Sequence, residues 1–327
     1  MQMYSEEEKI EEFSRKKSSI KNLIKFYLMP GWRNPEFSAR EYQIEKIKSK
    51  RRLFRRLLTP LTLVGFLMVL IVAFIAVYAP WLTELTLANV TPPLYPGEAA
   101  FQPPSPEHPL GTTQFGWDIL GRLLWGARTT LQAAVFPVAI SIGGGILFGT
   151  ISGYFGGWVD TIIMRICDIF LSLPMLIIVI VLAPLVGKNL YSVLGIYGVL
   201  FIPFNIRFMR SLVLQVKQND YVRAAISSGG DKFRVMFKHI FPNTISPIII
   251  SFFGAMGITV IGLAGLAFIG LGDPRVANWG ADIMYAQGHF KTPGASLWPG
   301  LFIGITAIGC ILIGDGLRDA LDPRLHI

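Results

Sequence analysis

The chain has 327 residues, of which 52% are hydrophobic and only 16% are charged, and its mean hydropathy is +0.51. This apolar excess excludes an ordinary soluble globular protein and predicts a membrane protein. The net charge of +9 does not indicate nucleic-acid binding, because blocks of Lys and Arg beside apolar segments are explained by membrane topology and by anionic lipid headgroups.

Six long apolar segments follow one another along the sequence. About 20 apolar residues are enough for a helix to cross the hydrocarbon core of a bilayer. Continuous runs of this length contradict the short alternating segments of an outer-membrane barrel. We therefore predict an all-α membrane protein with six transmembrane helices, at residues 57–81, 128–153, 161–186, 190–212, 245–270 and 297–316.

The distribution of Lys and Arg predicts the orientation of these helices. Half of the 30 basic residues lie in the segment 1–56, which precedes the first span and shows no cleavable signal pattern. Basic residues favour the cytoplasmic side, so we expect segment 1–56 to be cytoplasmic and the loop 82–127, with Arg122 as its only basic residue, to be extracellular. Alternation across six spans then places the loop 213–244 and the tail 317–327 in the cytoplasm, with both termini.

The spans of the predicted core bundle, residues 128–316, are dense in glycine and other small residues. In lipid, helices associate by packing, and small residues let two helix backbones come close. We therefore expect a tightly packed bundle.

Two charged residues, Arg165 and Asp168, lie within the predicted third span at i, i+3 spacing, which places them on one helix face. A charge at the centre of a transmembrane helix costs about 2.5–3.5 kcal/mol on insertion scales, so each needs a partner or a position near the interface. We predict that they form a structural ion pair near the cytoplasmic surface, with one another or with a charge on a neighbouring helix, and a role in transport is the alternative.

No catalytic or nucleotide-binding motif of the GxxxxGK[ST], HExxH or GxSxG kind occurs in the sequence. The four histidines are scattered, and Cys167 and Cys310 lie in predicted spans without metal-ligand spacing. We therefore expect no catalytic, cofactor-binding or metal-binding residues. If ATP energises this protein, another subunit must hold the nucleotide.

A basic insert with a glycine pair separates the fourth and fifth spans and reads DYVRAAISSGGDKFRVMFKHIFPN, from Asp220 to Asn243. Four of its residues share one helix face by their i, i+3, i+4, i+7 spacing, and most of them are small. Such a face allows another backbone to approach closely. Its members are Tyr221, Ala224, Ala225 and Ser228.

A turn and a second helix are expected to follow. Gly229 and Gly230 should end the first helix, because glycine reaches the left-handed conformation, and Asp231 is a suitable N-cap for the next. Pro242 is expected to end that second helix. The pattern predicts a helical hairpin, and by itself it is equally typical of a connector lying in the headgroups. The apolar stripe expected on the second helix comprises Phe233, Met236, Phe237 and Ile240.

The stretch RAAISSGGDKFRVMFKHIFP resembles the EAA signature of the permease subunits of ABC importers, with two alanines, a glycine four residues later and a proline thirteen residues after that. In that family this loop forms the coupling helix, which inserts into a cleft of the ATP-binding subunit. Ala224, Ala225, Gly229 and Pro242 match the signature, whereas Arg223 stands where the family usually has glutamate. The residues expected to take part in coupling are Tyr221, Arg223, Ala224, Ala225, Ser228, Gly229, Gly230, Asp231, Phe233, Phe237 and Pro242.

Three further stretches resemble the dipeptide/oligopeptide/nickel branch of these permeases, and the last is similar to the second permease type of that branch. They are HPLGTTQFGWDILGRLLWGART from His108, YFGGWVDTIIMRICDIFLSLP from Tyr154 and GDGLRDALDPRL from Gly314.

The resemblance implies a type I ABC importer permease fold in the cell membrane. It also implies a homologous permease partner, two cytoplasmic ATP-binding subunits that hold ATP and Mg²⁺, and an extracellular solute-binding protein. Peptides are the expected substrate, with oligosaccharides or nickel complexes as alternatives. A different class of function, a non-transporting membrane scaffold or receptor that binds a cytoplasmic partner through the hairpin, stays open.

Overall fold

Helices make up nearly the whole of the described structure, as the apolar segments predict. No β-strand occurs in the ranges below, and the one isolated bridge there pairs Thr112 with Asp118. The predicted all-α fold is confirmed. The predicted segment 1–56 and most of the predicted tail lie outside the described residues. The computed structural model describes residues 59–87, 90–91, 100–187, 189–273, 276–288 and 293–321.

The described residues belong to one unit, Thr59–Ile327. Its helices are α1 (Pro60–Leu82), α2 (Ile119–Phe155), α3 (Gly157–Leu171), α4 (Met175–Val186), α5 (Leu190–Leu200), α6 (Ile202–Lys217), α7 (Asp220–Ser227), α8 (Lys232–Val235), α9 (Phe241–Leu266), α10 (Trp279–Tyr285) and α11 (Gly294–Leu321), with π-helical turns at Met236–Ile240 and Ala267–Leu271.

Four helical segments in the described part of the chain are long and apolar enough to cross a membrane. They are α1, α2, the continuous helix Lys232–Leu271 that contains α8 and α9, and α11. Two further pairs of helices pass the same test together, although each pair is bent. Up to six spans result when each bent pair counts as one, in agreement with the six predicted helices.

Both predictions of an unbroken third and fourth span are wrong. α3 and α4 form an angle of 82°, and α5 and α6 an angle of 40°. Pro174 precedes α4, and the residue before a proline is driven out of the helical region, so one straight helix cannot continue there. Pro203 likewise lies in the first turn of α6, where its missing N–H costs nothing.

The helix that contains the predicted second span begins at Ile119, nine residues before the predicted start of that span at residue 128. The carboxylate of Asp118 caps it, because Oδ2 accepts a hydrogen bond of 2.6 Å from the backbone N–H of Gly121. The first turns contain the charged residue Arg122, which hydropathy alone excludes from a span. The last nine residues of the predicted loop 82–127 are therefore helical.

Pro242 does not end a helix, contrary to the prediction. The preceding turn, Met236–Ile240, is π-helical, and the N–H of Phe241 bonds to the carbonyl of Met236. Pro242 then occupies the first turn of α9, a position where proline is tolerated. The hairpin is consequently continuous with a membrane-spanning helix.

Glycines allow the expected close packing of α2 against α6. A Cβ atom on Gly149 would lie 2.7 Å from the carbonyl oxygen of Ile206, and one on Gly153 would lie 2.9 Å from Cβ of Val213. Any side chain at either position would push the two helices apart. α2 thus forms a scaffold running from the α10 end of the bundle to the end that carries the hairpin.

Candidate functional site

The turn of the predicted hairpin has the geometry of a Schellman motif. The N–H of Gly230 bonds to the carbonyl of Ala225 at 3.1 Å, and the N–H of Gly229 bonds to that of Ile226 at 3.0 Å. Gly229 has a φ of +76°, the left-handed conformation expected from the sequence. Two features of the turn therefore require glycine, since a Cβ on Gly230 would lie 2.7 Å from the carbonyl oxygen of Ala225.

Asp231 caps the second helix of the hairpin, as predicted. Its Oδ2 accepts hydrogen bonds from the backbone N–H groups of Phe233 at 3.1 Å and Arg234 at 3.2 Å. The cap and the glycine turn together set the angle between α7 and α8. The hairpin is thus a shaped element and has a defined turn.

One side of the hairpin is anchored in the bundle. Val222 of α7 and Val235 and Ile240 of the second helix are almost completely buried. With Met236, they pack in one cluster with Tyr154 of α2 and with Met209 and Val213 of α6. A force on the hairpin therefore acts on α2 and α6 through buried apolar contacts.

The small-residue face predicted for α7 is only partly exposed. Tyr221, Ala224 and Ser228 are exposed, together with Arg223. Ala225 instead is half-buried and packs against the anchoring cluster. The prediction of one continuous free face is wrong for Ala225, because burial of Val222 rotates α7 so that the residue three positions later also turns inward.

The predicted apolar stripe on the second helix is divided between the two sides of the hairpin. Met236 and Ile240 are buried, whereas Phe233 and Phe237 are 59% and 61% exposed. The π-helical turn Met236–Ile240 contains one residue more per turn than an α-helix. The four side chains therefore do not lie on the one face that the α-helical spacing predicted. Phe233 contacts the ring of Phe155 at the end of α2, with centroids 6.1 Å apart.

The exposed side of the hairpin combines apolar and cationic residues. Tyr221, Ile226, Phe233 and Phe237 are exposed large apolar residues. The exposed cations of the same segment are Arg223, Lys232, Arg234 and Lys238. An exposed apolar surface mixed with charge is typical of a site for another protein.

Two ion pairs connect α3 with α6 beside the hairpin. Nε and Nη2 of Arg210 lie 2.6 Å from Oδ1 and Oδ2 of Asp160, and Oγ of Ser152 donates a further hydrogen bond of 2.5 Å to Oδ1. Arg207 pairs with Asp168. These contacts hold the bent third span against the helix that leads into the hairpin.

The predicted pair of Arg165 and Asp168 exists, with Nη1 and Oδ2 3.8 Å apart, but it is the weaker of the contacts of Asp168. The side chain of Arg165 is 79% exposed, and Arg207 is the closer partner. Arg207 lies on a neighbouring helix, as the prediction allowed, and it repeats with Arg210 at i, i+3 spacing in the next span.

A buried ion pair lies at the end of the bundle opposite the hairpin. Nε of Arg122 lies 2.6 Å from Oδ1 of Asp282, both side chains are almost completely buried, and the guanidinium also donates to the carbonyl of Val90. It stacks on the ring of Trp117 at 4.5 Å. Burial raises the pKa of Asp282, and Arg122 opposes that shift. Sequence reasoning placed Arg122 in a loop and missed this pair.

Arg128, six residues after Arg122 on α2, binds α1. Its Nε donates a hydrogen bond of 2.6 Å to the carbonyl of Ala76. That carbonyl has no helical donor, because the residue four positions later is Pro80, which lacks an N–H. The arginine therefore satisfies a backbone acceptor that the proline leaves open.

A cleft of about 490 Å³ opens at the same end of the bundle. Its polar lining includes Arg128, Gln132, Asn189, Tyr191 and Asp273, beside the apolar ring of Trp125. Oδ2 of Asp273 accepts a hydrogen bond from the N–H of Leu190. No group of three or more His, Cys, Asp or Glu residues that could hold a metal ion occurs among the residues that were described.

Comparison with known proteins agrees with this architecture. The family described as binding-protein-dependent transport system inner membrane component matches residues 145–327, which include the hairpin and the α3–α6 ion pairs. The chain is 33% identical over 294 residues to a dipeptide transport system permease protein of Alkalihalophilus pseudofirmus, covering 89% of this chain and 95% of that protein.

Two glutathione transport system permease proteins are similarly close. The protein from Pectobacterium atrosepticum is 34% identical over 261 residues, or 79% of this chain and 85% of its own length. The protein from Escherichia coli O6:K15:H31 is 34% identical over 276 residues, or 84% and 89%. The chain belongs to the binding-protein-dependent transport system inner membrane component family and is a multi-pass permease of the cell membrane.

Proposed function

We propose that this chain is the permease subunit of an ABC importer for peptides and that its α7–α8 hairpin couples an ATP-binding subunit to the transmembrane pathway. The observation that carries the proposal is the two-sided hairpin. Val222 and Ile240 anchor one side in the bundle, while Ala224 and Ser228 leave a small-residue surface exposed on the other. A structural connector needs the first side only.

The hairpin is connected to the spans in a way that suits transmission of a rigid-body movement. α7 follows α6 after two residues, and the second helix continues without a break through α9. Displacement of the hairpin would therefore move both helices, and the ion pair of Arg210 with Asp160 would carry α3 along. Alternating access of this kind needs no large change inside any helix.

The remaining subunits follow from the family. Two cytoplasmic ATP-binding subunits would hold ATP and Mg²⁺, a homologous permease would complete the pathway, and an extracellular solute-binding protein would deliver the substrate. We assign peptides because the similar permeases are named for dipeptide and glutathione transport. Oligosaccharides and nickel complexes are the alternatives.

Under this proposal the hairpin and both termini are cytoplasmic, and α10 with the cleft beside Trp125 and Tyr191 faces outside. The charges agree with this orientation, because the hairpin is rich in Lys and Arg and the loop before α2 is poor in them. Single cysteines at Ser105 and Ser228 should react with an impermeant reagent from opposite sides of the membrane. Reaction of both from the same side of intact cells would overturn this topology.

Reconstitution tests the function. The chain should be purified with the products of its neighbouring genes, reconstituted into proteoliposomes, and assayed for peptide-stimulated ATP hydrolysis and for uptake of labelled dipeptides. We expect both activities, and uptake should depend on the solute-binding protein. A stable complex that does neither would favour the scaffold or receptor alternative. ATP hydrolysis stimulated only by an oligosaccharide or by a nickel complex would retain the transporter and reassign its substrate.

A further inference from the structure

Four cations on the hairpin have no partner within the part of the chain that the structure describes. Arg223, Lys232, Arg234 and Lys238 are exposed, and none of them has a carboxylate within 4 Å among these residues. The cations beside the hairpin differ, since Arg207 and Arg210 pair with acids of α3. The unpaired positive charge of this region therefore lies on the exposed side of the hairpin.

The acids of the hairpin offset only half of this formal charge of four. Asp220 and Asp231 are the two acidic residues between Asp220 and His239. Oδ2 of Asp231 accepts from two backbone N–H groups at the start of α8, so this carboxylate is directed at the helix terminus. The exposed surface of the hairpin is consequently positive.

Anionic lipid headgroups would be one source of the missing negative charge, but the length of the helices disfavours them. The continuous helix Lys232–Leu271 has 40 residues. At about 1.5 Å per residue it is roughly 60 Å long, whereas a bilayer with its headgroups is about 40–45 Å thick. The charged residues of this helix, Lys232, Arg234 and Lys238, all lie within its first seven residues, so we assign its excess length to the hairpin end, where a protein partner can reach the cations.

We infer that the hairpin of this permease binds an acidic surface of its ATP-binding subunit, in which carboxylates face Arg223 and Arg234. This inference rests on the proposed function and adds the chemistry of the partner. The small residues Ala224 and Ser228 allow the two backbones to approach, and the flanking cations then select a partner by charge. Complementary charge of this type raises the association rate and makes binding depend on salt.

The test uses the complete permease pair in nanodiscs and measures the affinity of the ATP-binding subunits at roughly 0.05 M and 0.5 M salt, conditions that differ strongly in screening. The charge-reversed variant is Arg223→Glu with Arg234→Glu, and Arg223→Gln with Arg234→Gln is its neutral counterpart. Arg318→Glu is the matched control, because Arg318 is an exposed cation on α11 outside the hairpin.

We expect the reversed pair to weaken binding about tenfold or more at low salt, the neutral pair to weaken it by less, and the control to have no effect. High salt should weaken wild-type binding and should reduce the difference between the variants. Suppressor mutations in the ATP-binding subunit that restore peptide uptake to the reversed variant should replace Asp or Glu by neutral or basic residues.

Three results distinguish failure of the acidic-partner inference from failure of the proposed coupling function. If charge reversal leaves the affinity unchanged while Ala224→Trp abolishes it, the hairpin couples but its partner surface is not acidic, and the inference fails alone. If neither change affects binding, the proposed function of the hairpin fails as well. If reversal changes only the response to nanodiscs rich in phosphatidylglycerol, the cations serve the membrane and the inference is overturned.

Discussion

Arg210 and Asp160 form a two-pronged ion pair that joins α6 to α3, with Nε and Nη2 each 2.6 Å from a different carboxylate oxygen. Both side chains are more than two-thirds buried. The pair lies between two helices that belong to different spans, and one of them, α6, leads into the hairpin. It is thus placed to keep these spans together when the hairpin moves.

The first prediction concerns this pair. Arg210→Gln should lower the free energy of unfolding by about 1.5–3 kcal/mol, because it removes charged hydrogen bonds and leaves Asp160 without a cation. Thermal unfolding of the purified permease pair measures this change. In a protein that already carries Arg210→Gln, adding Asp160→Asn should lower the free energy of unfolding much less than Asp160→Asn does in the wild type. Additive losses would mean that the two residues do not act as a pair.

The second prediction compares the two partners of Asp168. Arg207→Gln should reduce thermal stability more than Arg165→Gln, which should change the free energy of unfolding by less than about 0.5 kcal/mol, because Arg165 is highly exposed and more distant. A larger effect of Arg165→Gln in the same thermal unfolding assay would make Arg165 the main partner of Asp168, and equal effects would contradict the predicted order.

The third prediction concerns the buried pair at the opposite end of the bundle. Arg122→Met should destabilise the permease by about 3–5 kcal/mol, because it leaves Asp282 buried and uncompensated. Adding Asp282→Leu should recover part of this loss, since the unpaired carboxyl is then gone. A double variant that is less stable than Arg122→Met alone would contradict the explanation.

The same variant should acquire a dependence of stability on pH. Burial raises the pKa of Asp282, and removal of Arg122 removes the opposing effect. The folded Arg122→Met protein therefore binds a proton more strongly than its unfolded state. Its stability should be greatest below the ordinary pKa of a carboxyl and should fall as the pH rises towards the raised value. A Tm difference from wild type that does not change with pH would exclude this cause.

The fourth prediction concerns the turn of the hairpin. Gly229→Val should strain the backbone by about 1–2 kcal/mol, because the left-handed φ disfavours a β-branched residue. Gly229→Asn is the matched control, since asparagine adopts this conformation more readily and nothing lies within 4 Å of a Cβ there. Peptide uptake should be reduced for Val and largely kept for Asn. Normal uptake with Val would show that the turn angle is unimportant.

Much of this architecture was predictable from the sequence, and the failures share a physical cause. Hydropathy identifies the apolar part of a helix, so it found the spans but not the polar first turns of α2, where Arg122 is paired through tertiary contact. The rule that proline ends a helix was also wrong for Pro242. The π-helical turn Met236–Ile240 before it lets the helix continue, because Pro242 then lies in the first turn of α9. The sequence predicted the left-handed Gly229 and the Asp231 cap correctly, since both depend on local backbone geometry.

The inward position of Ala225 could not be predicted from the periodicity of α7 alone. The face predicted from spacing is a property of one helix, whereas burial depends on how that helix rests on α2 and α6. The exposed surface should therefore be tested by a substitution at Ala224 and not at Ala225. A large side chain at Ala225 would disturb the anchoring cluster, whereas one at Ala224 would not.

The affinity of the ATP-binding subunits for permease pairs that carry Ala224→Trp tests the coupling role of the hairpin most directly. Ala224 is exposed, so the variant should fold and insert normally, and Ala224→Ser serves as the control of similar size. We predict that Ala224→Trp weakens binding about tenfold or more, because the bulky ring prevents the close approach of two backbones, and that Ala224→Ser binds as wild type does. Wild-type affinity of the Ala224→Trp permease pair would contradict the coupling role.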